Sequence, residues 1–317
     1  MAMLRRPQRE EPAGGDSGPS RPPVFRSRIL AGFECGFLGG NGHDLLRTTR
    51  HVPGQRMAAH YAAVRSHGIV TVRDGLPWRH DPYLRIKTAA HAGVEAIWDL
   101  SHFDPPPHPA RHARSVAEAA EPDQPLWLCP VNEPSLYPRL AGMVEAAAVE
   151  MAIAMARVAK DHHADVRILT TDPITGVGER QFAATDALVA TGLVDVVGVN
   201  YYPHTARTAL RKVLLKTWRR YRKPVLVAET SWHDGHPRHR RRHPGFNKAA
   251  WLRHIAEEIA AAEAQGAEIA GVCWYPIVDC PPWHRPRSRS RWRHGLIRED
   301  LSHDEHLSGE LRRRLVR

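Results

Sequence analysis

Cysteine is scarce and unpatterned in this chain. Its four thiols, Cys35, Cys129, Cys273 and Cys280, show no C-x-x-C spacing. That argues against a disulfide framework or a structural zinc site and fits a reducing compartment. Long apolar runs are missing too, and nothing approaches the roughly 20 apolar residues of a membrane-spanning helix. The N-terminal arginines run into Glu10-Glu11-Pro12-Ala13-Gly14-Gly15 rather than an apolar segment, so no secretory leader is expected, and the cytoplasm is the expected location. No G-x-G-x-x-G follows the first apolar segment, and Gly36 to Gly42 opens no helical pattern, so a dinucleotide cofactor is not expected. The 21 histidines include no H-E-x-x-H pair. His108, His112, His162, His163, His236, His239 and His243 fall in loops or at helix ends without a carboxylate grouping, so neither metal nor other cofactor is expected.

What is abundant is positive charge. The formal net charge is +11, and the densest basic runs are Arg238-His-Arg-Arg-Arg-His243 and Arg285 to Arg293. Both sit in Pro- and His-rich segments with no groove-reading module, and arginine is favoured throughout. They read as solvated basic loops, with no nucleic-acid partner expected. Otherwise the balance, 42% hydrophobic and 25% charged, is that of a soluble globular chain long enough for one large core.

Residues 1–26, rich in Pro, Gly, Arg and Glu without hydrophobic period, read as a disordered tail, and 27–317 as one domain. Apolar runs of strand length begin at Ile29, Ile69, Val94, Leu126, Val166, Val194, Pro224 and Ile269. Between them lie helical patterns: Gln55 to His67, closed by Gly68; Asp81 to Ala92, with Asp81 as N-cap and Pro82 in the first turn; and a short, weak segment from Ala110 to Ala120. Further patterns span Arg139 to Asp161, Arg180 to Thr191, Ala206 to Tyr221 and Asn247 to Ala264. Leu307 to Val316 reads as a last helix. Eight nearly uninterrupted apolar strands alternating with helices are the pattern of parallel strands covered on both faces, and a (β/α)8 TIM barrel fits them best.

In such a barrel the chemistry sits at the strand C-termini. The polar residues of interest concentrate there: Glu34, Arg73, Asp99 with His102, Asn132 with Glu133, Asp172, Asn200 with Tyr201 and Tyr202, and Glu229. Glu133 and Glu229 each end their own strand, and paired carboxylates across a cleft are what glycoside hydrolysis requires.

Here the chain resembles the retaining glycoside hydrolases of clan A, above all family 1, the β-glucosidase group. The likeness rests on Asn132-Glu133-Pro134 ending the fourth strand, Glu229 ending the seventh, and Gly198-Val-Asn-Tyr-Tyr-Pro203 on the sixth. Arg73 and Trp274 match residues ending the second and eighth strands. Phe33-Glu34-Cys35, Asp44 to His51 and Ile97 to His102 are similar to a divergent bacterial branch of the same family. The resemblance covers about Ile29 to Asp279.

It implies a double displacement, with Glu133 as acid/base and Glu229 as nucleophile about 5 Å apart. Asn132 would hold the sugar 2-hydroxyl, Arg73 and Tyr202 would keep Glu229 ionised and oriented, and Glu133 would have a raised pKa. His102, Asn200 and Trp274 would line the sugar subsite, with Trp78, Trp232 and Trp283 as stacking platforms. The implied partner is a carbohydrate or small glycoside. The chain departs from the family in its shorter length, with most of the loop insertions missing, in Ala228-Glu-Thr-Ser231 around the nucleophile and in Glu34 near a family glutamine, and two alternatives stay open. One is a carbohydrate-binding barrel without catalysis; the other is a transglycosylase using the same intermediate.

Overall fold

The computed structural model describes residues 23–38, 43–176, 178–283, 285 and 287–315. Eight parallel strands close a barrel. They are β1 (Ile29–Gly32), β2 (Thr71–Gly75), β3 (Glu95–Asp99), β4 (Leu126–Cys129), β5 (Val166–Pro173), β6 (Val194–Asn200), β7 (Val225–Thr230) and β8 (Ile269–Trp274). Each pairs with its neighbour in sequence, and β1 closes the ring by pairing Leu30 with Cys273 of β8. The chain is thus a single (β/α)8 barrel, as its alternating apolar runs predict.

The connecting helices are α1 (Met57–Arg65), α2 (Pro82–His91), α3 (Pro109–Ala119), α4 (Glu145–His162), α5 (Ala183–Ala190), α6 (Leu210–Tyr221), the short α7 (Pro237–Arg242), α8 (Lys248–Glu263) and α9 (Glu305–Leu315). Their starts follow local chemistry. Asp81 caps α2 by accepting from the Leu84 N–H at 3.2 Å, and Asn247 caps α8 by accepting from the Ala250 N–H at 2.9 Å. The helix expected over Arg139 to Asp161 is broken: Tyr137–Leu140 forms one turn, Gly142 takes φ +67°, and α4 starts afresh at Glu145. Likewise α6 starts at Leu210 rather than Ala206. Among the described residues no helix is long and apolar enough to cross a membrane.

Strand alternation divides the core in two. Ile29, Val72, Trp98, Leu128, Val197, Val227, Val272 and Trp274 face the helices, while Leu30, Ile97, Trp127, Leu169, Val196, Leu226, Cys273 and Tyr275 fill the barrel. Each fully buried aliphatic side chain contributes roughly 1.5–3 kcal/mol. The N-terminal end of the barrel is closed by Phe25, whose ring lies 4.7 Å from Trp127. The expected disordered tail therefore ends sooner than Arg26: residues 1–22 lie outside the described residues, but Phe25 is 2% exposed and belongs to the core. Near the top, Gly32 makes room for Tyr275, since a Cβ there would fall 2.2 Å from the tyrosine Cδ2.

Candidate active site

Glu133 is delivered by a local distortion. Beyond β4, Asn132 bridges in parallel to Thr171, its N–H donating to Ser101 O at 2.9 Å. Glu133 then adopts φ +50°, ψ +61°, a left-handed conformation that costs a non-glycine residue about 1–3 kcal/mol and clusters at functional sites. Pro134 follows and opens a 3₁₀ turn over Pro134–Leu136. The Glu133 carboxylate accepts from Asn200 Nδ2 at 2.9 Å. Glu229, on the last turn-free stretch of β7, accepts from Arg73 Nη1 at 2.9 Å on one oxygen and from the Tyr202 hydroxyl at 2.9 Å on the other.

Arg73 is fully buried, and its donors are all engaged. Nε and Nη2 grip both oxygens of Asp99 at 3.0 and 2.8 Å, Nη2 also donates to Asn132 Oδ1 at 2.6 Å, and Nη1 reaches the Ala228 carbonyl at 3.1 Å besides Glu229. The Asn132 carbonyl further accepts from Thr171 Oγ1 at 2.8 Å. With Arg73 fixing the amide orientation, Asn132 Nδ2 must donate to His102 Nε2 at 2.9 Å. The neutral His102 ring then carries its proton on Nδ1, facing Cys35 Sγ at 3.2 Å and Asp99 at 3.3 Å.

The fold therefore brings together Glu133, Glu229, Asn132, Arg73, His102, Tyr202 and Asn200. It does not bring Trp274 or Trp232. Trp274 points away from the barrel axis and donates Nε1 to the His294 carbonyl at 2.9 Å. Because successive strand residues alternate faces, its neighbour Tyr275 is the one that points in. Trp232 is fully buried behind β7, its ring 4.9 Å from His239 and 6.0 Å from Trp251. Of the other tryptophans, Trp78 lies under the Arg79 guanidinium at 4.1 Å, and Trp283 reaches the site. Its Nε1 donates to Glu34 at 2.9 Å, while the other Glu34 oxygen accepts from the Gly36 N–H at 2.9 Å and the Tyr275 hydroxyl at 3.2 Å. Glu34 and Tyr275 are thus site residues to which the sequence assigned no role.

The carboxyls differ electrostatically. Burial pushes Glu133 well above the usual carboxylate range, and the Glu229 charge pushes it the same way. Burial also raises Glu229, opposed by the Arg73 cation and the Tyr202 hydrogen bond. Arg73 and Tyr202 contact Glu229 and not Glu133, so Glu229 ionises first. Burial works against the Asp99 charge as well, but Arg73 outweighs it and holds that carboxyl low. Asp172, at the end of β5, is pushed up to about 7 by burial despite accepting from the Ser135 N–H and hydroxyl.

Two donor clusters that look unconnected in sequence meet in the fold: His204, His236 and His239, and Cys35, Asp99 and His102. In the first, the Nδ1 atoms of His236 and His239 accept backbone N–H groups of Arg238 and His233 at 3.2 and 3.1 Å. Their protons therefore sit on Nε2, and His239 donates to His204 Nδ1 at 3.0 Å. This arrangement suits a hydrogen-bonded histidine chain better than a metal centre. The second belongs to the Arg73 network.

The barrel is similar in fold to those of solved β-glucosidases. The β-glucosidase from Thermotoga maritima in complex with deoxynojirimycin superimposes with a TM-score of 0.65 at 14% identity, over 92% of this chain and 97% of that one. A hyperthermophilic β-glucosidase mutant gives 0.62 at 13% identity, over 90% and 99%. The structure described as the family 1 β-glucosidase from Thermotoga maritima gives 0.63 at 14%, over 92% and 97%. No family model matches the sequence, and no curated protein is similar to it. At these identities the likeness is one of fold.

Proposed function

We propose that this protein is a retaining glycosidase acting on a β-linked glycoside. The observation that carries the reading is the asymmetry of its two carboxyls. Glu229 is held by a guanidinium and a phenol, whereas Glu133 touches, among the described residues, a neutral amide alone, and burial and the Glu229 charge push its carboxyl well above the usual range. A carboxylate nucleophile beside a carboxylic acid is what double displacement needs.

In the first step a Glu229 oxygen attacks the anomeric carbon as the bond to the leaving oxygen breaks, and the Glu133 proton passes to that oxygen. In the second, Glu133, now ionised, takes a proton from water, which attacks the same carbon and releases Glu229. Asn132 and Asn200 present amide groups to the sugar. The Asn200 carbonyl oxygen is buried with no partner among the described residues, as expected of a group kept for a ligand hydroxyl. The solved structures with the same barrel include a β-glucosidase bound to deoxynojirimycin, in keeping with a carbohydrate ligand here.

Intact-protein mass spectrometry after incubation with 2-deoxy-2-fluoro glycosides of several sugars tests this. A covalent adduct on Glu229, absent in Glu229→Gln, is expected and would name the sugar. No adduct from any sugar and no turnover of aryl glycosides, with folded protein, would leave a carbohydrate-binding barrel without catalysis. An adduct discharged faster by alcohols or sugars than by water would make the enzyme a transglycosylase.

A further inference from the structure

The proposed reaction makes no use of the charge on two loops at the mouth of the barrel. Residues 231–247, which leave the C-terminal end of β7, contain one acid, Asp234, against four arginines. Residues 281–295, beyond β8, contain five arginines and no acid. Arg238, Arg240, Arg241, Arg287, Arg289 and Arg293 are exposed. Among the described residues none of these six forms an ion pair, and the pair on the second loop is Arg291 with Glu299 at 2.7 Å.

Both loops border the site. Arg242, next to Arg241, donates to the Pro203 carbonyl at 3.2 Å, and the His204 ring packs 5.5 Å from Tyr202, which holds Glu229. Trp283 of the second loop hydrogen-bonds Glu34, and its Trp292 ring lies 6.2 Å from His233 of the first. The floor of the cleft has the opposite character: Asp99 and Glu229 both bind the single Arg73 guanidinium, and Glu34 adds a third buried acid. An anion approaching this cleft is attracted at the entrance and repelled at depth. Charge on the sugar that enters the floor is disfavoured, and charge on the group left outside is favoured.

We propose that the arginine loops select glycosides whose leaving group carries a carboxylate, sulfate or phosphate, the sugar itself being uncharged. This rests on the reading of the floor as a hydrolytic site. A leaving group held at the entrance is also where an anion meets least repulsion from Glu133 once that residue has given up its proton.

The test compares 4-methylumbelliferyl with 3-carboxyumbelliferyl β-glucosides and β-galactosides, aglycones of similar size of which only the second carries a carboxylate. At about 20 mM salt the carboxylated substrate should have a kcat/KM roughly tenfold higher or more. That preference should vanish near 0.5 M salt, where screening acts within about 4 Å. The fourfold variant Arg238→Gln, Arg240→Gln, Arg287→Gln, Arg289→Gln should lose the preference and keep its rate on the neutral substrate. The same ratio is read as Kd by fluorescence titration of Glu229→Gln. If nothing is turned over, the hydrolytic reading fails while the binding ratio still decides the role of the loops. Equal values for the two aglycones at low salt, or a preference that survives in the fourfold variant, would overturn the proposal.

Discussion

Removing the Arg73 guanidinium while keeping most of its volume, as in Arg73→Met, strips a partner from two buried carboxylates at once. Asp99 is gripped through both oxygens and is 1% exposed, and Glu229 loses its charge partner at 3% exposure. Breaking a buried pair from one side costs about 3–5 kcal/mol, because the remaining charge stays desolvated. Two orphaned carboxylates put the expected loss at the top of that range. Its pH dependence makes the prediction specific. In the intact protein Asp99 is held below its ordinary range, so its pairing stabilises the fold above the unfolded carboxylate pKa, about 3.9. That stability is lost as pH falls through the lower folded value. In the variant both carboxyls rise and take up protons near neutrality. The gap between the two proteins in chemical denaturation should therefore be widest above about pH 7 and close steadily towards pH 4. Adding Asp99→Asn should recover part of it. A gap that does not change with pH, or one below about 1 kcal/mol, would refute the account of Arg73 as the counter-charge of the site.

Three further outcomes follow from the same geometry. In the proposed mechanism Glu133 acts while protonated, so the basic limb of the kcat/KM profile should reflect it, activity falling as pH rises through its raised value. Glu133→Gln should abolish that limb and spare aryl glycosides with good leaving groups, and a basic limb that persists would argue against this assignment. Phe25→Ala, which opens the N-terminal end of the barrel beneath Trp127, should cost about 3–5 kcal/mol in denaturation and leave any KM of the folded protein unchanged. Tyr275→Phe should raise KM by freeing Glu34 from one of its three donors, whereas Trp274→Phe, on the outward face, should alter stability and not KM.

The barrel was legible because eight apolar runs alternate with capped helices, and the parallel sheet demands that pattern. The carboxyls, Arg73, Asn132, Asn200 and Tyr202 were legible because strand C-termini converge on one face. Facing was not. A strand buried on both sides has no polar and apolar alternation to show which of Trp274 and Tyr275 looks inward, and the pairing of β7 with β8 is irregular just before Trp274. Phe25 was hidden in a Pro- and Arg-rich stretch whose composition signals disorder. Asp74 reads in sequence as a loop residue. In the fold it lies within β2 and joins Arg85, His51 and Tyr61 in a buried ionic cluster behind the barrel wall. Such partners, distant along the chain, have no local signature.

The reach of Arg73 has a consequence for how this scaffold can change. One side chain on β2 ties β3, the end of β4 and β7 to a common point, so the placement of the groups at their tips depends on a bracket inside the wall rather than on the segments above it. Segments other than the one carrying Tyr202 can then be exchanged, lengthened or trimmed with both holds on the carboxyl at the end of β7 kept. The chemistry and the choice of what it acts on become separable inheritances, and grafting a foreign entrance onto this base is a practical route to new selectivity.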